Sequence, residues 1–173
     1  MSRIEIRKCS IVDLDADAIV NAANSGLWAG GGVCGAIFRA AGHDRLQAAC
    51  DAIGHCETGS AVITPGFALK AKYIIHAVGP IWRGGGQDEA KLLRSAYNSS
   101  LELAVKNGCR SVGFPLISSG IYGYPVKQAW QEALTACADF LSGHQDLDVI
   151  FAVLDDGILQ LGRQIREENG AGD

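Results

Sequence analysis

Asn21-Ala-Ala-Asn24-Ser-Gly-Leu-Trp28-Ala-Gly30-Gly31-Gly32-Val33-Cys34-Gly-Ala-Ile-Phe-Arg-Ala-Ala-Gly42 is the stretch from which the fold can be read. An apolar run stops at two asparagines, a glycine cluster follows, and a helix of small residues begins. Strand, polar loop and helix N-terminus therefore succeed one another without interruption. Backbone N–H groups and the positive end of a helix dipole meet at such a junction, where an anion can be held. A phosphate-bearing ligand is the first expectation.

Working outward, Ala18-Ile-Val-Asn-Ala-Ala is short and nearly all apolar, as a central strand buried on both faces should be. It carries Asn21 and Asn24 at its carboxyl end. Nearer the N-terminus, Ile4 and Ile6 alternate with Glu5, Arg7 and Lys8, the period of an edge or near-edge strand with one wet face. After the glycines, Ala36, Ile37, Ala40 and Ala41 recur at helical spacing with Gly42 as the stop. His43 to Ile53 reads as a second helix ended by Gly54, Thr58 to Thr64 as a strand closed by Pro65-Gly66, and Tyr73 to Val78 as a buried strand. Leu92, Leu93, Ala96, Tyr97, Leu101, Ala104 and Val105 form one face of a long helix ended by Asn107-Gly108. Ser111 to Pro115 is a short strand, followed at once by a second glycine-bearing loop, Ser118-Ser-Gly-Ile-Tyr-Gly123. Pro125 opens a further helix that Gly143 closes. Val149 to Leu154 is the last strand, Asp155-Asp156-Gly157 a turn, Ile158, Leu161 and Ile165 the mark of a C-terminal helix, and Asn169 to Asp173 a frayed tail.

Alternating strands and helices with crossover-length connections define an α/β protein with a mostly parallel sheet covered on both faces. No repeat, linker or low-complexity tract marks a boundary, so residues 1–173 read as one domain with its core at about 3–168. At 48% hydrophobic and 20% charged the chain suits a compact globular protein. No apolar run approaches the roughly 20 residues that cross a bilayer, and the N-terminus lacks the apolar segment of a signal peptide. A cytoplasmic protein with no membrane association is expected. The net charge of −4 gives no long-range attraction to duplex nucleic acid. The six cysteines include no Cys-x-x-Cys pair and read as reduced core thiols. His43, Cys50, His55 and Cys56 match no zinc spacing, and neither metal nor cofactor is expected.

In open α/β sheets ligands bind beyond the carboxyl ends of the strands, and both glycine loops sit there, so together they make a cleft. Gly30, Gly32 and Gly35 satisfy G-x-G-x-x-G, which raises a nicotinamide-dependent oxidoreductase. The fit is poor, because the glycines trail the strand by several residues and Asp51, the nearest acidic candidate, lies within a helix. An ATP-binding P-loop fails because no Lys-Ser or Lys-Thr follows the glycines.

Five motifs carry a resemblance: Ala18-Ile-Val-Asn-Ala-Ala-Asn-Ser, Gly30-Gly-Gly-Val-Cys-Gly-Ala-Ile, Cys56-Glu-Thr-Gly, Tyr73-Ile-Ile-His-Ala-Val-Gly-Pro and Ser118-Ser-Gly-Ile-Tyr-Gly. In this order, from about Arg3 to Leu154, the chain resembles the macrodomain family, closest to its MacroD-type branch. The resemblance implies a three-layer α/β/α sandwich with a mixed, mostly parallel sheet. It implies a cleft for ADP-ribose or an ADP-ribosylated protein, and hydrolysis of ADP-ribosyl esters, on modified Asp or Glu or on O-acetyl-ADP-ribose. A non-catalytic reader is the alternative. By position, Asn24 would face the distal ribose, and Gly30, Gly31, Gly32 and Val33 would line that ribose and the phosphates. Ser118, Ser119, Gly120, Ile121 and Tyr122 would wrap the diphosphate. Ser10, Ile11, Ala22 and Leu154 complete the implied binding set, and a monomer is expected.

The chain departs from the branch at three positions. Cys9-Ser10 replaces the usual Gly-Asp whose carboxylate accepts from the adenine amino group, so that contact becomes neutral or water-mediated. Phe38 stands where a His often follows Ala-Ile, and Cys34 where an Asp usually helps place or activate the hydrolytic water. Cys34 is thus a small cleft-packing residue, a thiolate base or nucleophile at a helix N-terminus, or the mark of lost catalysis. With Asn24 it forms the candidate catalytic pair. Asn21 reads as a cap on loop backbone more readily than Asn24 does, His76 as a satisfied core histidine, and Trp28 and Trp82 as packing or rim residues.

Overall fold

The computed structural model describes residues 3–144 and 146–169, so the tail expected at Asn169–Asp173 lies, past its first residue, outside them. Ala18–Ala22 (β2) is fully central: it pairs in parallel with Tyr73–Ala77 (β4) on one side and with Ser111–Phe114 (β5) on the other. Asp148–Val153 (β6) adds beyond β5, Ile4–Lys8 (β1) forms one edge, and Ala61–Pro65 (β3) forms the other. The order is β1-β6-β5-β2-β4-β3, and only β3 runs antiparallel to its neighbour. β1 shows the expected one-sided burial, Ile4 and Ile6 inward and Arg7 and Lys8 exposed, which keeps a charged strand at the sheet edge.

Period-two alternation sorts the strand residues between two cores. Ile19 and Ile74 face Ile37 and Phe38 of Gly32–Ala41 (α1) and Leu46 and Cys50 of His43–Ile53 (α2). Their neighbours Val20 and Ile75 face the opposite way, onto Glu89–Lys106 (α3), Val126–Leu141 (α4) and Asp156–Glu168 (α5). Tyr97, Phe114, Phe151 and Trp130 interlock there, with ring centroids 5.0 to 6.0 Å apart. The result is the three-layer α/β/α sandwich with a mixed, mostly parallel sheet.

Beyond one-residue shifts at element ends, three features differ from the sequence reading. β3 begins at Ala61 rather than Thr58, because Gly59 (φ 88°) makes a turn whose carbonyl accepts from the Ser95 and Ser99 hydroxyls of α3. A short 3₁₀ turn, Ile11–Asp13, follows β1 and had no periodic signal. Asp155-Asp156-Gly157 is not a separate turn: Asp155 is the N-cap of α5, its Oδ1 accepting from Ile158 N at 2.9 Å, and the helix starts at Asp156.

Candidate functional site

Because β1, β2, β4, β5 and β6 are parallel, their carboxyl ends release five connections on one rim of the sheet. There they enclose a cleft of about 600 Å³. Every residue expected at the site lines it: Ser10, Ile11, Ala22, Asn24, Gly30, Gly31, Gly32, Val33, Cys34, Ser118, Ser119, Gly120, Ile121, Tyr122 and Leu154. The structure adds Gly79, Leu116, Ile117, Ala152, Asp155 and Ile158, among others. Ala152 and Ile117 carried only the signal of buried chain. Asp155 was hidden by reading a helix cap as a turn.

One wall is the start of α1. Its N-cap, Gly31, offers no side-chain hydrogen bond, and the first intrahelical bond runs from Gly35 N to Gly31 O at 3.3 Å. Among the described residues the N–H groups of the first turn therefore have no protein acceptor, at the positive end of the helix. Gly35 holds this turn against its own entry loop, since a Cβ there would lie 2.6 Å from Gly30 O.

The facing wall is the loop after β5. Ser118 has φ 69°, held by its Oγ donating to Pro80 O at 2.7 Å and by Tyr124 N donating to Ser118 O at 2.9 Å. Its side chain is thus committed to scaffold rather than ligand. Gly79 allows this approach, because a Cβ there would overlap Ser118 Oγ and Ile117. Trp82 N donates to Tyr122 O at 2.8 Å, and the Trp82 ring packs on Tyr124 with centroids 4.7 Å apart, so Trp82 is a packing residue. Among the described residues the N–H groups of Gly120, Ile121 and Tyr122 have no protein acceptor. Burial holds the Tyr122 hydroxyl above its ordinary pKa, so it faces the cleft protonated.

Electrostatically, the lining among the described residues contains no lysine or arginine, and its one carboxylate, Asp155, is engaged through Oδ1 as a helix cap. Two sets of neutral N–H donors facing each other across a narrow cleft suit a diphosphate, which needs donors without side-chain bulk. Among the described residues no group of three or more His, Cys, Asp or Glu could hold a metal.

The loop cap read for Asn21 falls to its neighbour in the motif. Asn24 is the loop cap: its Oδ1 accepts from Trp28 N at 3.0 Å and its Nδ2 donates to Trp28 O at 2.9 Å. It remains on the cleft wall beside Cys34 and Gly30. Asn21, only 1% exposed, bonds side chains instead, with Nδ2 at 3.1 Å from His76 Nδ1 and 3.6 Å from Cys34 Sγ. Local sequence could not show this, because the partner His76 arrives from β4. The thiol of Cys34 donates to Trp28 O at 3.7 Å, so the sulfur both accepts and donates within the wall. Trp28 itself is 65% exposed beside this end of the cleft, a rim residue.

Residues 20–133 match the family described as Macro domain. An O-acetyl-ADP-ribose deacetylase of Salmonella gallinarum is 47% identical over 174 residues, covering 98% of this chain and 97% of that protein. The chain belongs to the macro domain family. A macrodomain of Oceanobacillus iheyensis with ADP superposes with a TM-score of 0.91 at 35% identity, over 96% of this chain and 90% of that one. A Trypanosoma brucei macrodomain in complex with ADP-ribose superposes with a TM-score of 0.85 at 38% identity, over 94% of this chain and 68% of that one. Membership sets aside the oxidoreductase reading of Gly30, Gly32 and Gly35: in this macrodomain those glycines shape a loop and a helix start on the cleft wall.

Proposed function

We propose that this macrodomain binds ADP-ribose in the cleft and hydrolyses ADP-ribosyl esters, in the manner of the MacroD-type branch. The observation that carries the reading is the pair of opposed N–H arrays, at the start of α1 and at Gly120–Tyr122, across a cleft without cationic side chains. The diphosphate spans these arrays. The adenine lies toward Ser10 and Ile11, and the distal ribose toward Asn24 and Cys34. The names of the similar proteins, an O-acetyl-ADP-ribose deacetylase and structures holding ADP or ADP-ribose, fit the same ligand.

The chemistry follows from what the wall lacks. Asp155 is engaged as a cap, and His76 is fully buried behind Asn21 with its pKa lowered to about 4 by burial. Asn24 and Cys34, the side chains at the distal-ribose end, are both engaged with the Trp28 backbone, so the substrate's own phosphate takes the proton from the attacking water. Water adds to the ester carbon, the bond between that carbon and the ribose oxygen breaks, and the proton passes to the departing oxygen. The products are a carboxylic acid and ADP-ribose. Asn24 holds the Trp28 loop against the distal ribose, and Cys34 packs beneath it with its sulfur on Trp28 O.

The chain acts as a single macrodomain and as a monomer, in a reducing cytoplasm that suits six free cysteines. No helix among the described residues is long and apolar enough to cross a membrane. The decisive assay mixes the protein with a glutamate-linked ADP-ribosylated target and with O-acetyl-ADP-ribose. Release of ADP-ribose supports the hydrolase. Binding of ADP-ribose with no release at high enzyme concentration sinks hydrolysis and leaves a reader, a reading favoured by Cys34 in place of the usual carboxylate.

A further inference from the structure

A polar chain crosses the otherwise apolar core beneath α1. In the sheet register Asn21 of β2 stands directly opposite His76 of β4, and Thr64 of β3 opposite Ile74, so all three side chains share one face. Thr64 Oγ1 lies 3.2 Å from Pro65 O, which can only accept. With the hydroxyl proton given to Pro65 O, Thr64 Oγ1, at 3.0 Å from His76 Nε2, is left to accept from that nitrogen. The imidazole is neutral, because burial lowers its pKa to about 4. A neutral ring protonated at Nε2 has a bare Nδ1, which accepts one amide hydrogen of Asn21 at 3.1 Å. The second amide hydrogen is then aimed at Cys34 Sγ, 3.6 Å away on the cleft wall. Cys50 Sγ, 3.9 Å from Nε2, is too weak an acceptor to displace Thr64.

Asn21 Oδ1 is buried without a partner among the described residues. This orientation orphans one acceptor, whereas the flipped amide would orphan two N–H donors.

We propose that Asn21 is a positioning residue for ester hydrolysis, held by Thr64 and His76 so that one amide N–H fixes the Cys34 sulfur. Through the Cys34 thiol it also fixes the Trp28 carbonyl on which Asn24 hangs. The proposal rests on the hydrolase reading above. It explains how a chain without the usual carboxylate keeps the catalytic wall ordered: the donor that would serve a carboxylate at position 34 serves a thiol instead.

The first test is the tautomer of His76, read from the long-range ¹H–¹⁵N spectrum of histidine-labelled protein at neutral pH. The tether requires the Nε2–H form, and an Nδ1–H signal overturns it. The second test measures turnover and ADP-ribose affinity in Thr64→Val, Thr64→Ser and Asn21→Ala. Thr64→Val is expected to lower kcat roughly 10- to 100-fold with KM and ADP-ribose affinity nearly unchanged. Thr64→Ser, which keeps the oxygen, should return kcat to within about twofold of the parent. Equal losses in kcat and affinity, or an unchanged kcat in folded Thr64→Val, overturn the positioning role even if Asn21→Ala does not fold. An inactive parent with the Nε2–H signal overturns the hydrolase reading and this role together, whereas an active parent with Nδ1–H overturns the tether alone.

Discussion

Cys34 receives an N–H from Asn21 and gives its own proton to Trp28 O, so its place in the wall is set by neutral hydrogen bonds rather than by charge. An aspartate at this position would accept the Asn21 N–H as a charge-assisted bond, which is the stronger kind. Cys34→Asp is therefore expected to raise ester hydrolysis by roughly 10²- to 10⁴-fold, the usual worth of a placed general base. Cys34→Ala should leave ADP-ribose affinity within about twofold, because the diphosphate is held by backbone donors elsewhere. Single-turnover release of ADP-ribose and titration calorimetry measure the two arms. Equal rates in Cys34→Asp and the parent would show that the wall cannot use a base at this position.

At the scale of elements, the phosphate loop keeps its N–H groups outward because other elements hold it from behind. Ser118 bonds Pro80 O, Trp82 bonds Tyr122 O, and Gly79 leaves room for the first of these contacts. Gly79→Ala pushes a methyl into Ser118 and Ile117 and should displace the loop. ADP affinity is expected to fall by 1 to 3 kcal/mol, about the cost of overpacking a tight contact, while adenosine, which lacks the diphosphate, binds as before. Parallel losses for both ligands, measured by calorimetry, would contradict this division of the cleft. Much of this level was legible in the sequence. The strand before Asn21, the helix between Gly32 and Gly42 and the glycine loop after β5 announce themselves through apolar runs and backbone punctuation, which are local signals. The loop-capping role read for Asn21 belongs to Asn24, because the partner of Asn21 is His76, 55 residues away, while Asn24 bonds the backbone of Trp28 and still lines the cleft. The N-cap at Asp155 was missed because Asp-Asp-Gly is equally good turn chemistry.

Across the molecule, two apolar cores sandwich one sheet, and the polar chain through His76 lies wholly inside one of them. Burial lowers the His76 pKa from 6.5 to about 4, so between those values the unfolded chain binds a proton that the folded chain does not. Stability is therefore complete above pH 6.5 and declines as the pH falls toward 4, by about 3 kcal/mol for this group alone. Glu89 adds a second window. Burial would raise its pKa, but N–H donation from Arg83, Gly85 and Gln87 outweighs this and holds it near 2, against 4.5 unperturbed. Its contribution is present above pH 4.5 and is lost as the pH falls through 2. Thermal melting against pH should show a decline beginning below pH 6.5 that flattens in His76→Gln; a flat Tm from pH 6.5 to 5 in the parent would contradict a neutral buried His76.

The central claim is that the rim of five parallel strand ends is an ADP-ribose site, and titration calorimetry with ADP-ribose, ADP, adenosine and NAD on one preparation tests it most directly. The expected result is one ADP-ribose per chain at micromolar affinity, with ADP weaker, adenosine weaker still, and NAD no tighter than ADP-ribose. No heat with ADP-ribose, or tighter binding of NAD, would contradict it.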